Sequence, residues 1–205
     1  HPIYNPSLDY SVYLSQPFFF VLFQVLILLI TVYAVGIEIK FRTADEWLFV
    51  AKGNMVTAVL GKLLPYTIIF ILIGWLANYV MFGILHIPFQ GSWLLMNMLT
   101  ALFVVATQAL GLFLFSLFPA ISLIISIVSM VGSLGATLSG VTFPVTNMYP
   151  LVRDASYLFP VRHFTEMMQN MLYGGSGFIY LWPSVVILCL SLIHISEPTR
   201  PLYIS

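Results

Sequence analysis

Residues 38–62 read EIKFRTADEWLFVAKGNMVTAVLGK and hold half the charge of the chain. Glu38, Lys40, Arg42, Asp45, Glu46, Lys52 and Lys62 are seven of its fourteen charged residues. On either side the charge vanishes. Residues 17–37 carry none, and no Asp, Glu, Lys or Arg recurs from 63 to 152. Helices of a water-soluble core keep a charged face towards solvent, so an uncharged run of that length excludes a soluble fold. The bilayer is the solvent, and residues 38–62 are where the chain emerges into water.

Composition agrees. Of 205 residues 60% are hydrophobic and 7% charged, whereas soluble domains carry about 25% charged residues. The fold class this predicts is all-α, a polytopic membrane helix bundle of about five spans. A formal net charge of zero offers no basic face for nucleic acid, whose binding rests on counterion release. One cysteine, Cys189, excludes an intrachain disulfide and leaves the redox compartment open. The chain opens on His1 with no charged segment ahead of a signal-like run, which reads as a fragment beginning mid-protein.

Residues 1–16 are polar and aromatic and read as the end of an extracytoplasmic segment. Residues 17–37 form the first span, since about 20 apolar residues cross the hydrocarbon core at helical rise. Residues 63–85, 93–118 and 120–141 form the next three, and 178–189 begin a truncated fifth. Pro65 falls early in the second span, where a missing N–H costs little. The fourth span carries Ser122, Ser126, Ser129 and Ser133 beside Gly132, Gly135 and Gly140. Small residues at that spacing bring helix backbones close in lipid, with a substrate-lining face as the alternative. Residues 142–177 break the pattern. Pro144, Pro150 and Pro160 chop them, and Arg153, Asp154, Arg162 and Glu166 restore charge. Helices this short and polar lie at the interface or dip in and return. Four Lys and Arg in 38–62 against two in 142–177 and none in 1–16 place the 38–62 turn in the cytoplasm.

Taken in this order, the motifs resemble the C-terminal half of a permease of the ABC-2 family of ATP-binding-cassette transporters. NPSLDYSVYLSQP (5–17) resembles the family's exit from its extracytoplasmic domain, and EIKFRTADEWL (38–48) its cytoplasmic coupling stretch. Thr43 stands for the Thr of a Gly-Thr pair and Asp45–Glu46 for the acid after it; Arg42 occupies the usual Gly position and Lys40 a common acidic one. GKLLP (61–65) resembles the start of the next helix. SGVTFP (139–144), Met148, Pro150 and YLFP (157–160) resemble the re-entrant segment before the last helix. The resemblance implies a missing N-terminal helix and extracytoplasmic domain, a second permease half (homo- or heterodimer), and a separate ATPase subunit. It implies ATPase docking through Glu38, Lys40, Arg42, Thr43, Asp45, Glu46, Trp47 and Leu48, with Trp47 and Leu48 as apolar anchors. It implies a re-entrant segment built on Gly140, Pro144, Pro150, Pro160, Arg162 and Glu166. The setting implied is the bacterial inner membrane, in contact with lipid, and the activity is ATP-driven export.

No GxxxxGK[ST] phosphate loop occurs, so no cofactor is expected on this chain and ATP falls to the partner. His163 and Glu166, three apart, fall short of the three ligands a catalytic zinc needs, and Arg162 competes for Glu166 as an ion pair. The uncharged spans offer no site for a coupling ion. An intramembrane enzyme drawing on Arg153, Asp154, Arg162, His163 and Glu166, or a non-transporting scaffold, are the other readings. Finally, LSLIHISEPTR (190–200) resembles the in-frame translation of a sequencing-library adapter, and 201–205 fit its continuation. Native sequence is therefore expected to stop near Cys189, and His194 and Glu197 are set aside as site residues.

Overall fold

The computed structural model describes residues 10–87, 89, 91–118, 120–139, 149–157 and 159–173. All its elements are helical: α1 (Tyr10–Lys40), α2 (Ala44–Val50), α3 (Met55–Asn78) continued by a π-helical turn (Tyr79–Ile84), α4 (Trp93–Leu117), α5 (Ile121–Leu138), α6 (Pro150–Ser156) and α7 (Pro160–Tyr173). Among the described residues no strand occurs. Four helices are long and apolar enough to cross a membrane: Ser15–Lys40 within α1, Met55–Ile84, Trp93–Leu117 and Ile121–Leu138. The expected fifth span at 178–189 and the run 190–205 lie outside the described residues, as do Gly140 and Pro144.

Helix ends differ from the apolar runs. α1 begins seven residues before Pro17, and α3 begins at Met55 rather than at 63. An α-helix satisfies its own backbone in water as well as in lipid, so it continues past the hydrocarbon until a cap stops it. Asn54 is that cap for α3, its side chain accepting the N–H groups of Val56 (3.0 Å) and Thr57 (3.3 Å). Pro65 consequently lies in the third turn of α3, not its first, where it removes one backbone hydrogen bond.

α1 is the central element and packs against α3, α4, α5 and α7. Two apolar cores lie along it. One gathers Phe20, Phe23 and Ile27 of α1, Phe70 of α3, Phe103 of α4, and Phe164 and Met168 of α7. The other gathers Leu28, Val32 and Val35 of α1, Leu63 of α3, Phe115 of α4, and Ile124 and Val128 of α5. Close approach needs two glycines: a Cβ on Gly132 would lie 2.6 Å from Val25 Cγ2, and one on Gly74 2.5 Å from Thr100 Cγ2. Polar bonds join α3 to α4. Thr67 Oγ1 donates to Gln108 Oε1 (2.7 Å), Asn78 Nδ2 donates to Asn97 Oδ1 (3.2 Å) and Thr100 Oγ1 (2.9 Å), and Trp75 Nε1 donates to the Asn97 carbonyl (3.0 Å).

α5 has 18 residues, fewer than α1, α3 or α4. Beyond its C-terminal end, α7 fills the space between α1 and α4. Phe164 packs with its ring tilted against Phe20 and Phe103, at centroid distances of 4.4 and 4.7 Å. The Val161 N–H at the start of α7 donates to Gln24 Oε1 at 2.9 Å. The other end of α7 reaches the 86–92 turn, where a Cβ on Gly91 would meet Met171. The four serines of α5 turn outward from the bundle. Ser126, Ser129 and Ser133 donate to carbonyls of their own helix at 3.3, 2.9 and 2.8 Å. Gly132 and Gly135 form part of the buried face instead.

Candidate docking site at the 38–62 turn

α2 is a two-turn helix hung between the C-terminal end of α1 and the N-terminal end of α3. Both connections are tight. Arg42 has φ 57°, and Lys52 and Gly53 have φ 54° and 76°. α2 contains no buried residue, and a helix this short does not hold itself together in water. Its neighbours hold it. Trp47 packs on the core shared by α1, α3, α4 and α5, with the Lys62 ammonium 5.5 Å from its ring centroid. Lys62 of α3 pairs with Glu38 of α1, and the Thr43 hydroxyl donates to the same Glu38 carboxylate. Glu38 and Lys62 side chains are only 20% and 19% exposed.

The eight expected docking residues thus separate into two sets. Glu38, Thr43 and Trp47 turn towards the bundle. Lys40, Arg42, Asp45 and Glu46 are exposed, and Leu48 is half-buried. The outward apolar side chains are ones the sequence did not single out: Phe49 is 85% exposed, Val50 81% and Phe41 65%. Their apolar character was visible, but in seven residues no periodicity says which side meets the bundle. An open depression at the end of α2 is lined by Asp45, Leu48, Phe49, Val50, Lys52 and Gly53. A pair of apolar side chains ringed by acids and a lysine suits contact with a protein surface.

The second expected cluster lies at the other end. Pro150 and Pro160 open α6 and α7, where proline's fixed φ suits a first turn. Arg162 is buried, its Nη2 3.8 Å from Glu166 Oε2, and its guanidinium lies 5.9 Å from the Tyr157 ring centroid. His163 Nε2 lies 2.9 Å from the Tyr157 carbonyl and donates to it. Burial pushes its imidazole below the usual range, towards the neutral form. Arg153 and Asp154 face outward on α6. Among the described residues no three His, Cys, Asp or Glu side chains converge on one point.

The whole described bundle falls within a family match. Residues 1–194 match the family model described as ABC-2 family transporter protein. The chain belongs to the ABC-2 transporter family. Inner membrane transport permease YhhJ of Escherichia coli K12 is 31% identical over 109 residues, 52% of this chain and 28% of the relative. Two more relatives of the same organism are each named "Probable multidrug ABC transporter permease". YbhS is 26% identical over 154 residues, 73% of this chain and 40% of the relative. YbhR is 23% identical over 182 residues, 89% of this chain and 49% of the relative. The chain thus spans about a quarter to a half of the length of these curated relatives. The ABC-2 match ends five residues into the adapter-like run. No solved structure matches the chain.

Proposed function

We propose that this chain is the membrane-spanning part of a permease subunit of an ATP-driven exporter in the bacterial inner membrane. A separate ATPase subunit docks on α2, and a second permease half completes the pathway. The observation that carries this is the exposed Phe49–Val50 tip on a two-turn helix at the charged end of an ABC-2 bundle. Phe41, Phe49 and Val50 supply the apolar contact and Asp45, Glu46 and Lys52 its polar rim. Nucleotide-driven closure of the ATPases would move α2, and α2 would move α1 and α3, to which it is joined at both ends. The chain supplies the path and the lever, and its partner supplies the chemistry. The relatives' names support the permease class, and the name of YhhJ supports the inner-membrane setting. We take residues 190–205 as adapter-derived, which re-sequencing the parent gene past codon 189 tests.

The docking test places a cysteine at Phe49 in the full-length permease and crosslinks it in membrane vesicles with and without ATP. The expected outcome is a nucleotide-sensitive crosslink to an ATP-binding subunit, lost when Val50 is also changed to Asp. A Phe49 cysteine that labels freely from the cytoplasm yet never crosslinks overturns the docking assignment.

A further inference from the structure

We propose that Glu38 and Lys62 form a clasp that makes α2 a rigid extension of α1 and α3, so that Glu38 is a positioning residue for transmission through this helix. The role in transmission rests on the docking reading above; the rigidity does not.

Three observations carry it. The pair closes across 24 residues, from the end of one spanning helix to the start of the next, with both side chains about four-fifths buried. Exposed ion pairs contribute little because water screens them; this one is largely withdrawn from water and shared with a third group. That third group is Thr43, at the N-terminal boundary of α2. Its hydroxyl donates to the Glu38 carboxylate and its N–H to the Glu38 carbonyl at 3.0 Å. Lys62 in turn lies over Trp47, in the middle of α2. One carboxylate and one ammonium therefore bind α2 at its start and along its inner side.

Without them α2 would be held by two short turns and the packing of Trp47 alone. Arg42 and Lys52, in the left-handed region at either end, make those turns the points where a push on Phe49 would be absorbed. Among the described residues Glu38 is the one acid paired with Lys62. Glu46 and Asp45, the other acids of the turn, are exposed and form no ion pair there. The clasp is thus a single bond whose loss should loosen α2 while leaving the four spanning helices packed.

The experiment uses spin labels at Phe49 and Leu64 in the full-length permease, assembled in lipid nanodiscs with and without its ATPase subunit. Native protein is expected to give a narrow distance distribution that Mg-ATP leaves unchanged, because α2 and α3 move together. Glu38→Gln is expected to broaden it, and the exchanged pair Glu38→Lys with Lys62→Glu to narrow it again. Folding is checked by a second label pair at the exposed Leu26 and Leu134, whose distribution stays native in all variants. A Glu38→Gln distribution as narrow as the native one overturns the clasp, whatever the ATPase does. A broadened one that the exchanged pair fails to restore overturns the ion pair as its cause. A narrow native distribution with no label contact between Phe49 and the ATPase overturns the docking reading, and the transmission role with it, while the rigidity stands.

Discussion

Arg42 is an arginine held in a backbone conformation that favours glycine, with φ 57° between α1 and α2. The resemblance carried by this stretch implies a Gly there, and the chain turns sharply enough at Arg42 to need the left-handed region. A side chain in that region costs about 1–2 kcal/mol, and glycine returns part of this as unfolded-state freedom. Arg42→Gly is therefore expected to stabilise the protein by roughly 0.5–1 kcal/mol, read as a higher unfolding midpoint in detergent. The position was legible in the sequence as a departure from pattern; its conformational cost was not. The same limit applied to Trp47. An aromatic next to leucine at an exposed turn reads as an outward anchor, but Lys62 and the core beneath draw it inward and leave Phe49 outside. Which side of a two-turn helix faces in is decided by residues far along the chain.

At the scale of elements, the long uncharged runs made four spanning helices legible, because lipid punishes any interruption of charge. Their ends were not legible, since nothing apolar marks where a helix stops in water. The α1–α5 contact turns on Gly132, whose added Cβ would lie 2.6 Å from Val25 Cγ2 with a second Val25 carbon at 3.3 Å. Val25 is β-branched and stiff, so the helices must separate. Gly132→Ala is expected to cost about 1–3 kcal/mol, measured by denaturant titration in mixed micelles. Gly61→Ala, on α3 where nothing lies within 4 Å, is the matched control and is expected to stabilise by about 0.5–1 kcal/mol, because alanine is the better helix former. Equal effects from both would show that the Val25 contact does not set the outcome, because propensity alone favours alanine at either site. The small residues of α5, serines and glycines together, were expected to mediate packing; within this chain Gly132 and Gly135 do so, while the four serines face outward. Spacing alone could not separate the two rows, which run along one helix with the same small-residue periodicity.

Across the whole molecule, the lysines and arginines of 38–62 are expected to set the orientation. Phe49 lies at one end of α3 and His86 just beyond the other. With a cysteine at each in turn, a membrane-impermeant thiol reagent should label Phe49 from the cytoplasmic side only and His86 from the opposite side only. Labelling of both from one side would overturn the crossing between them. α7 could be read in the sequence as too short and polar to span, but its seat could not, because the partners of Val161 and Phe164 lie about 140 residues earlier in α1. That separation has a consequence for the protein's own manufacture. A ribosome delivers α1 first and α7 last among these elements. While α3, α4 and α5 are being made, Phe20 and the Gln24 amide wait beside a notch that no other described helix fills. Among the described residues the bundle is sealed at that end by the arrival of its own late segment, so the order of synthesis is written into the packing.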